Sequence, residues 1–351
     1  MLKDIIIKTA DRMTSISNDG MDEECPIGII DINNWEWPQG VGMYGLYMMY
    51  KELGEKRYLD YLIGWYDGNI KKGLPDRNVN TTAPLLTLTY LYEETGRSDY
   101  LELIKDWAAW VYNDMKRTEE GAIQHRVSGE ENDGQIWIDT LFMTVLFLAR
   151  AGVLLNIDEY KEEAKKQFLI HIKYLYDKKT GLWFHGWTFH GRHNFAEAFW
   201  ARGNCWYTIC AGEILEILDI KGGAFYDYIS DTLKSQAEAL RRTQTAEGDW
   251  HTLLDDETSY TEISAAAGFG YGILKAVRKG YLGREYYECG KKALKAVLDN
   301  IDESGTVNKV SYGTGMGSNL DHYRNIPLCP MTYGQALAIL VIMEGIKSDV
   351  Q

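Results

Sequence analysis

The first chemical signal in this sequence is an ionisable residue set in an apolar run. Asp139 lies in Gln135-Ile-Trp-Ile-Asp-Thr-Leu-Phe-Met143, and apolar residues fill nearly every position from Leu141 to Ala149. Read as one buried helix over 135–151, this stretch places a carboxylate among indole and aliphatic groups. Desolvation there predicts a raised pKa unless a cation or several N–H groups compensate. Two readings follow: an acid at a helix start answering the helix dipole, or a general acid held in an aromatic pocket.

A second cluster lies at Trp200, Arg202 and Trp206. Arg202 and Trp206 stand four apart and share a helix face, whereas Trp200 and Arg202 do not. A guanidinium beside an indole suits a carboxylate carried on a sugar ring, the fork binding the acid and the indole packing on the ring. The competing reading pairs Arg202 with an acid such as Glu197. His185, His190 and His193 are spaced five and then three apart among glycines and aromatics, which suits a loop better than a metal site. His125, in Ile123-Gln-His-Arg-Val127, is a further polar candidate. Gly313-Thr-Gly-Met-Gly317 has the glycines of a dinucleotide loop, but no strand precedes it.

Composition narrows the partner. Eleven Trp and 24 Tyr in 351 residues, many beside Gly, Asn or His, predict a cavity with flat faces and polar edges, as carbohydrate clefts have. A net charge of −14 argues against nucleic acid or an anionic membrane. Five scattered cysteines without zinc spacing predict a reduced compartment. The amino terminus has no signal-peptide core and no run is long enough to span a membrane, so the expected location is the cytoplasm.

Twelve helical patterns must position these residues. They fall near 3–15, 39–53, 56–70, 81–96, 97–114, 135–151, 156–176, 196–220, 222–242, 260–280, 284–300 and 331–347. The even-numbered ones are rich in Gly, Ala and aromatics, as in Gly40-Val-Gly-Met-Tyr-Gly-Leu-Tyr47; the odd-numbered ones carry a polar face. Six buried helices alternating with six half-buried ones predict an all-α fold, an (α/α)6 barrel of two concentric rings, as one domain over residues 1–351. An open helical solenoid fits less well, because no short motif repeats. In a closed ring the inner helices all start at one rim. The segments leading into them therefore converge on one mouth.

With those residues assembled, the chain resembles the unsaturated rhamnogalacturonyl hydrolases, relatives of the unsaturated glucuronyl hydrolases. The matching segments are Trp137-Ile-Asp-Thr-Leu-Phe-Met143, His185-Gly-Trp187, Phe199-Trp-Ala-Arg-Gly-Asn204 with Trp206, and Gly315-Met-Gly317 through Ile326-Pro327 to Tyr333-Gly334. The resemblance implies an (α/α)6 barrel with no metal or organic cofactor. It gives Asp139 the acid/base role and gives His185, Trp200, Arg202, Trp206 and His125 to the unsaturated uronic acid. Asn80, Trp37 and Tyr44, at or near the starts of inner helices, complete the expected substrate contacts. The family also implies a second aspartate near the helix that starts around 78–84. This sequence has Asn80 and Thr82 there, with Asp76 just upstream.

The implied reaction hydrates a C4=C5 double bond conjugated to the ring oxygen, on the non-reducing end of lyase-generated pectin (rhamnogalacturonan) oligosaccharides. One carboxyl serves it. An ordinary glycosidase needs two, which keeps open an inverting enzyme pairing Asp139 with Glu197 or Glu262. A sugar epimerase using His185 or His193 also stays open, as does a non-catalytic oligosaccharide-binding protein.

Overall fold

The computed structural model describes residues 2–17 and 30–348. Cys25 lies outside the described residues; Cys205, Cys210, Cys289 and Cys329 are buried free thiols. Among the described residues no helix is long and apolar enough to cross a membrane.

Helices dominate: α1 (Leu2–Met13), α2 (Trp37–Leu53), α3 (Lys56–Lys72), α4 (Val79–Thr95), α5 (Ser98–Asn113), α6 (Leu146–Leu155), α7 (Asp158–Leu175), α8 (Ala201–Ile217), α9 (Ala224–Thr243), α10 (Ile263–Lys279), α11 (Tyr287–Asp299), α12 (Leu320–Arg324) and α13 (Thr332–Ser348). Helices α2, α4, α6, α8, α10 and α13 each pack on the next, and α13 returns to α2. That closes a ring of six. Outside it, α1, α3, α5, α7, α9 and α11 pack respectively on α13, α2, α4, α6, α8 and α10. The fold is the two-ring barrel that the alternation of apolar and amphipathic helices predicts.

Side-chain size explains why the ring can close. A Cβ on Gly40 of α2 would lie 2.7 Å from the Pro84 nitrogen of α4, and one on Gly45 would lie 2.9 Å from Ala336 Cβ of α13. Bare backbone is what lets these helices approach. Capping fixes where they start. Glu36 accepts from Trp37 N–H at the head of α2, and Asn78 forms a capping box with Thr81 at the head of α4.

The boundaries differ from the sequence reading at the functional rim. The stretch over 135–151 is not one helix. Gln135–Trp137 is a short strand, β1; a π-helical turn covers Leu141–Val145; only then does α6 begin. β1 pairs antiparallel with β2 (Gly186–Thr188), Trp137 facing Gly186. Likewise α8 begins at Ala201 rather than 196, because Glu197 has φ +52° and Trp200 is extended. A second small hairpin joins β3 (Trp250–His251) to β4 (Thr261–Glu262), and the short α12 lies between α11 and α13, where the sequence shows no helical pattern. Each lies at the mouth, where backbone must turn sharply between an outer and an inner helix.

Candidate active site

Asp139 stands in the turn between β1 and the π-helical segment, not in the second turn of a helix. Its carbonyl accepts from Phe142 and Met143 N–H, which starts the wide turn. The β1–β2 pairing then brings His185 beside it, since Ile138 N–H donates to His185 carbonyl at 3.0 Å. The result is a carboxylate held from both sides. Trp206 Nε1 donates to Oδ1 at 3.0 Å, and His185 Nε2 lies 3.4 Å from Oδ2.

The surroundings fix the charge of Asp139. Burial raises its pKa, but the hydrogen bond and charge of His185, with His125 and Arg202 behind, outweigh that, and the net direction is down. The sequence reading of a raised pKa is therefore corrected for the empty site: the carboxyl is ionised there, because partners from across the barrel compensate its desolvation.

The cleft is lined by Trp37, Asn80, His125, Asp139, Trp200 and Arg202, among others, and holds about 330 Å³ of open space. Trp37 stacks on Tyr333 at 4.5 Å and meets Trp206 edge-on at 6.3 Å. His125 stacks on Trp137 at 4.2 Å, and its Nδ1 lies 2.8 Å from Thr140 Oγ1. Burial pushes His125 down to about 3, so at neutral pH it is an uncharged hydrogen-bonding group.

Arg202 does two things. Nη1 donates to the Ser311 carbonyl and hydroxyl, Nη2 donates to the Tyr312 carbonyl at 2.8 Å, and the guanidinium lies between the rings of Trp200 and Tyr333. It thus ties the 311–312 segment to α8. Its Nε–H, buried, has no partner, and neither has the buried Trp200 Nε1–H. Two orphaned donors on neighbouring cleft residues suit a carboxylate from outside the chain. Asn204, part of the same motif, is structural: its amide donates to the carbonyls of Trp183 and Trp200 and fixes the start of α8.

Not every expected residue is brought to the cleft. Tyr44 is about 1% exposed and its hydroxyl donates to Glu213 Oε2 at 2.8 Å, towards the far end of the barrel. A position on an inner helix does not reveal which end its side chain serves. His190 is exposed beside Asp133, and His193 is exposed with Nδ1 accepting from Phe195 N–H. The three histidines do not converge; among the described residues no group of three or more His, Cys, Asp or Glu could hold a metal ion. Glu262 is fully engaged as the N-cap of α10, accepting from Ser264 and Ala265, and Glu197 is exposed. Neither lines the cleft with Asp139. Asp76 is exposed as well.

Sequence reasoning misses Glu36. It is buried at the mouth, accepting from Trp37 N–H at 2.8 Å and from Ser128 Oγ at 3.1 Å, while Ser128 in turn accepts from Asn78. The Glu-Trp-Pro run that caps α2 is its only sequence signal. Burial pushes Glu36 up to about 7, against those two hydrogen bonds. Between its ordinary value of 4.5 and that point the folded state binds the extra proton, so stability declines as pH rises. Glu36→Gln keeps the acceptor for Trp37 and removes the titration. In denaturant melts the stability of this variant relative to the native protein should increase by roughly 3 kcal/mol between pH 4 and 8. A difference independent of pH would move that titration to another group.

The model of glycosyl hydrolase family 88 matches residues 6–348. The unsaturated rhamnogalacturonyl hydrolase YesR of Bacillus subtilis is 32% identical over 317 residues, 90% of each chain. A crystal structure from Salmonella enterica, described as a possible member of the GH105 family, superposes with a TM-score of 0.96 at 46% identity, over 99% of this chain and 94% of that one. The unsaturated glucuronyl hydrolase of a Bacillus species shares the fold, with a TM-score of 0.76 at 17% identity over 99% of this chain and 97% of that one. A helical barrel matched along nearly its whole length, with its motif residues gathered at one mouth, makes this chain a glycoside hydrolase of family 88.

Proposed function

We propose that the protein removes a 4,5-unsaturated uronic acid from the non-reducing end of short oligosaccharides made by pectin lyases, by hydrating the double bond with Asp139 as acid and base. The observation that carries this reading is the cleft itself. Asp139 is the one carboxylate among the described residues that line it, and it lies with the orphaned N–H groups of Arg202 and Trp200. A conventional glycosidase needs a second carboxyl across the bond. The relationship to YesR supports the unsaturated substrate.

The uronate carboxylate docks on Arg202 and Trp200, and the sugar ring packs between Trp37 and Trp137; Trp206, buried behind the cleft, acts by holding Asp139. Its negative charge, arriving beside Asp139, raises that carboxyl and makes it a proton donor. The double-bond electrons take the proton at C4, leaving positive charge on C5 shared with the ring oxygen. Water adds its oxygen to C5 and returns a proton to Asp139. The hemiketal so formed opens by breaking the bond from C5 to the ring oxygen. That oxygen becomes a hydroxyl on the anomeric carbon, which then expels the leaving sugar and becomes an aldehyde.

This sequence separates two pH limbs. In the empty enzyme Asp139 sits below its ordinary value, so kcat/KM should fall with rising pH from an acidic limb. In the complex the same group is raised, so the limb in kcat should lie at higher pH. Coincident limbs would mean that the substrate does not arm the acid. The reading as a whole is tested by following the ultraviolet absorbance of the double bond across a panel of lyase-generated disaccharides. At least one should be consumed as its leaving sugar appears. A panel left intact by folded enzyme sinks the proposal.

A further inference from the structure

Tyr323 is fully buried although it belongs to a five-residue helix in an otherwise partly exposed loop. Its hydroxyl lies 2.8 Å from His185 Nδ1, accepts from Gly317 N–H at 3.1 Å, and lies 3.5 Å from Met316 Sδ. The other ring nitrogen of His185, Nε2, lies 3.4 Å from Asp139 Oδ2, and neither atom makes a closer hydrogen bond. We propose that Tyr323 is a positioning residue, whose hydroxyl donates to His185 Nδ1 and so keeps the imidazole proton on Nε2, aimed at Asp139. The inference rests on the reading of Asp139 as acid and base.

A phenol oxygen has one proton and two lone pairs. Gly317 N–H occupies one lone pair. Two acceptors compete for the proton: an imidazole nitrogen at hydrogen-bonding distance and a thioether sulfur that is farther and weaker. The nitrogen wins. In its neutral form the His185 ring has one proton, and with Nδ1 accepting, that proton is on Nε2. Asp139 then keeps an N–H donor on each oxygen, from Trp206 and from His185, whether or not it carries its own proton, and a lone pair stays open towards the sugar. The opposite tautomer would turn a bare nitrogen lone pair on the carboxylate and weaken its hold. Gly186 leaves room for Met316: a Cβ there would collide with the Met316 methyl group, and that side chain would have to move aside.

The test is the ¹⁵N signature of His185 in selectively labelled full-length enzyme, assigned by loss of its signal in His185→Gln. In the native protein, neutral His185 should show a protonated Nε2 and an accepting Nδ1. In Tyr323→Phe the tautomers should mix, and kcat on a 4,5-unsaturated disaccharide should fall about tenfold while KM stays within about twofold. A native proton on Nδ1 overturns the proposal without any variant having to fold. An unchanged tautomer in Tyr323→Phe, or a changed one with full kcat, overturns it too. If the native enzyme ignores the unsaturated bond, the proposed reaction fails while the tautomer measurement still reports on Tyr323.

Discussion

Asp139→Asn should lower kcat on a 4,5-unsaturated disaccharide by about 10² to 10⁴ while leaving the helical circular dichroism intact. The side chain is similar in size, and its oxygen can still accept from Trp206 or from His185. Its amide must then face the remaining N–H donor, a mismatch that costs about 1 kcal/mol. The lowered pKa sets the sign of the pH effect. Stability contributed by ionised Asp139 is present above its ordinary value of 3.8 and is lost as pH falls through the depressed folded value. The Asn variant should therefore match the native protein most closely at strongly acid pH. A folded variant that keeps its turnover would move the acid role elsewhere, with Glu36, a buried carboxyl at the mouth whose pKa is raised, the first candidate.

Arg202→Ala carries the second large effect, and on two axes. The sequence suggests a binding residue alone, and the expectation from it is weaker uronate binding. The structure adds three hydrogen bonds to the 311–312 segment and two flanking rings, all lost on truncation. The Ser311 carbonyl keeps the Tyr333 hydroxyl, but the other bonds, the ring contacts and the side-chain volume go, so the variant should lose roughly 3 kcal/mol of stability. Arg202→Lys separates the axes. It keeps a cation between the rings but lacks the planar fork, so KM should rise at least about tenfold with a smaller change in melting temperature. Native affinity and native melting in both variants would place the carboxylate receptor on different residues.

The barrel was legible because burial leaves a compositional mark. A helix enclosed on every side, such as α13 or α10, excludes charge along most of its length, whereas α7 alternates Lys and Glu with the apolar positions that face α6. Asp139, Trp200 and Arg202, which line the cleft, were legible through their motifs, as were His185 and Trp206, which lie against Asp139. What stayed hidden depends on partners far away in sequence. β1 is three residues long and pairs with the distant β2, Gln135 standing opposite Thr188. A period of two cannot be read in three residues. Tyr323 lies in a loop without any pattern, and only the fold places it against His185. The direction of the Asp139 shift depends on His185 and Arg202, brought in from beside β2 and from α8. Tyr44 shows the converse: a Gly- and Tyr-rich inner helix suggests a cleft, but only the structure shows its hydroxyl turned to Glu213.

The most direct test sets a 4,5-unsaturated disaccharide against its saturated counterpart, with native enzyme and Asp139→Asn side by side. Native enzyme should consume the double bond with stoichiometric release of the leaving sugar and leave the saturated sugar whole; the variant should do neither. Cleavage of the saturated disaccharide at a comparable rate would show attack at the anomeric carbon and contradict hydration of the alkene.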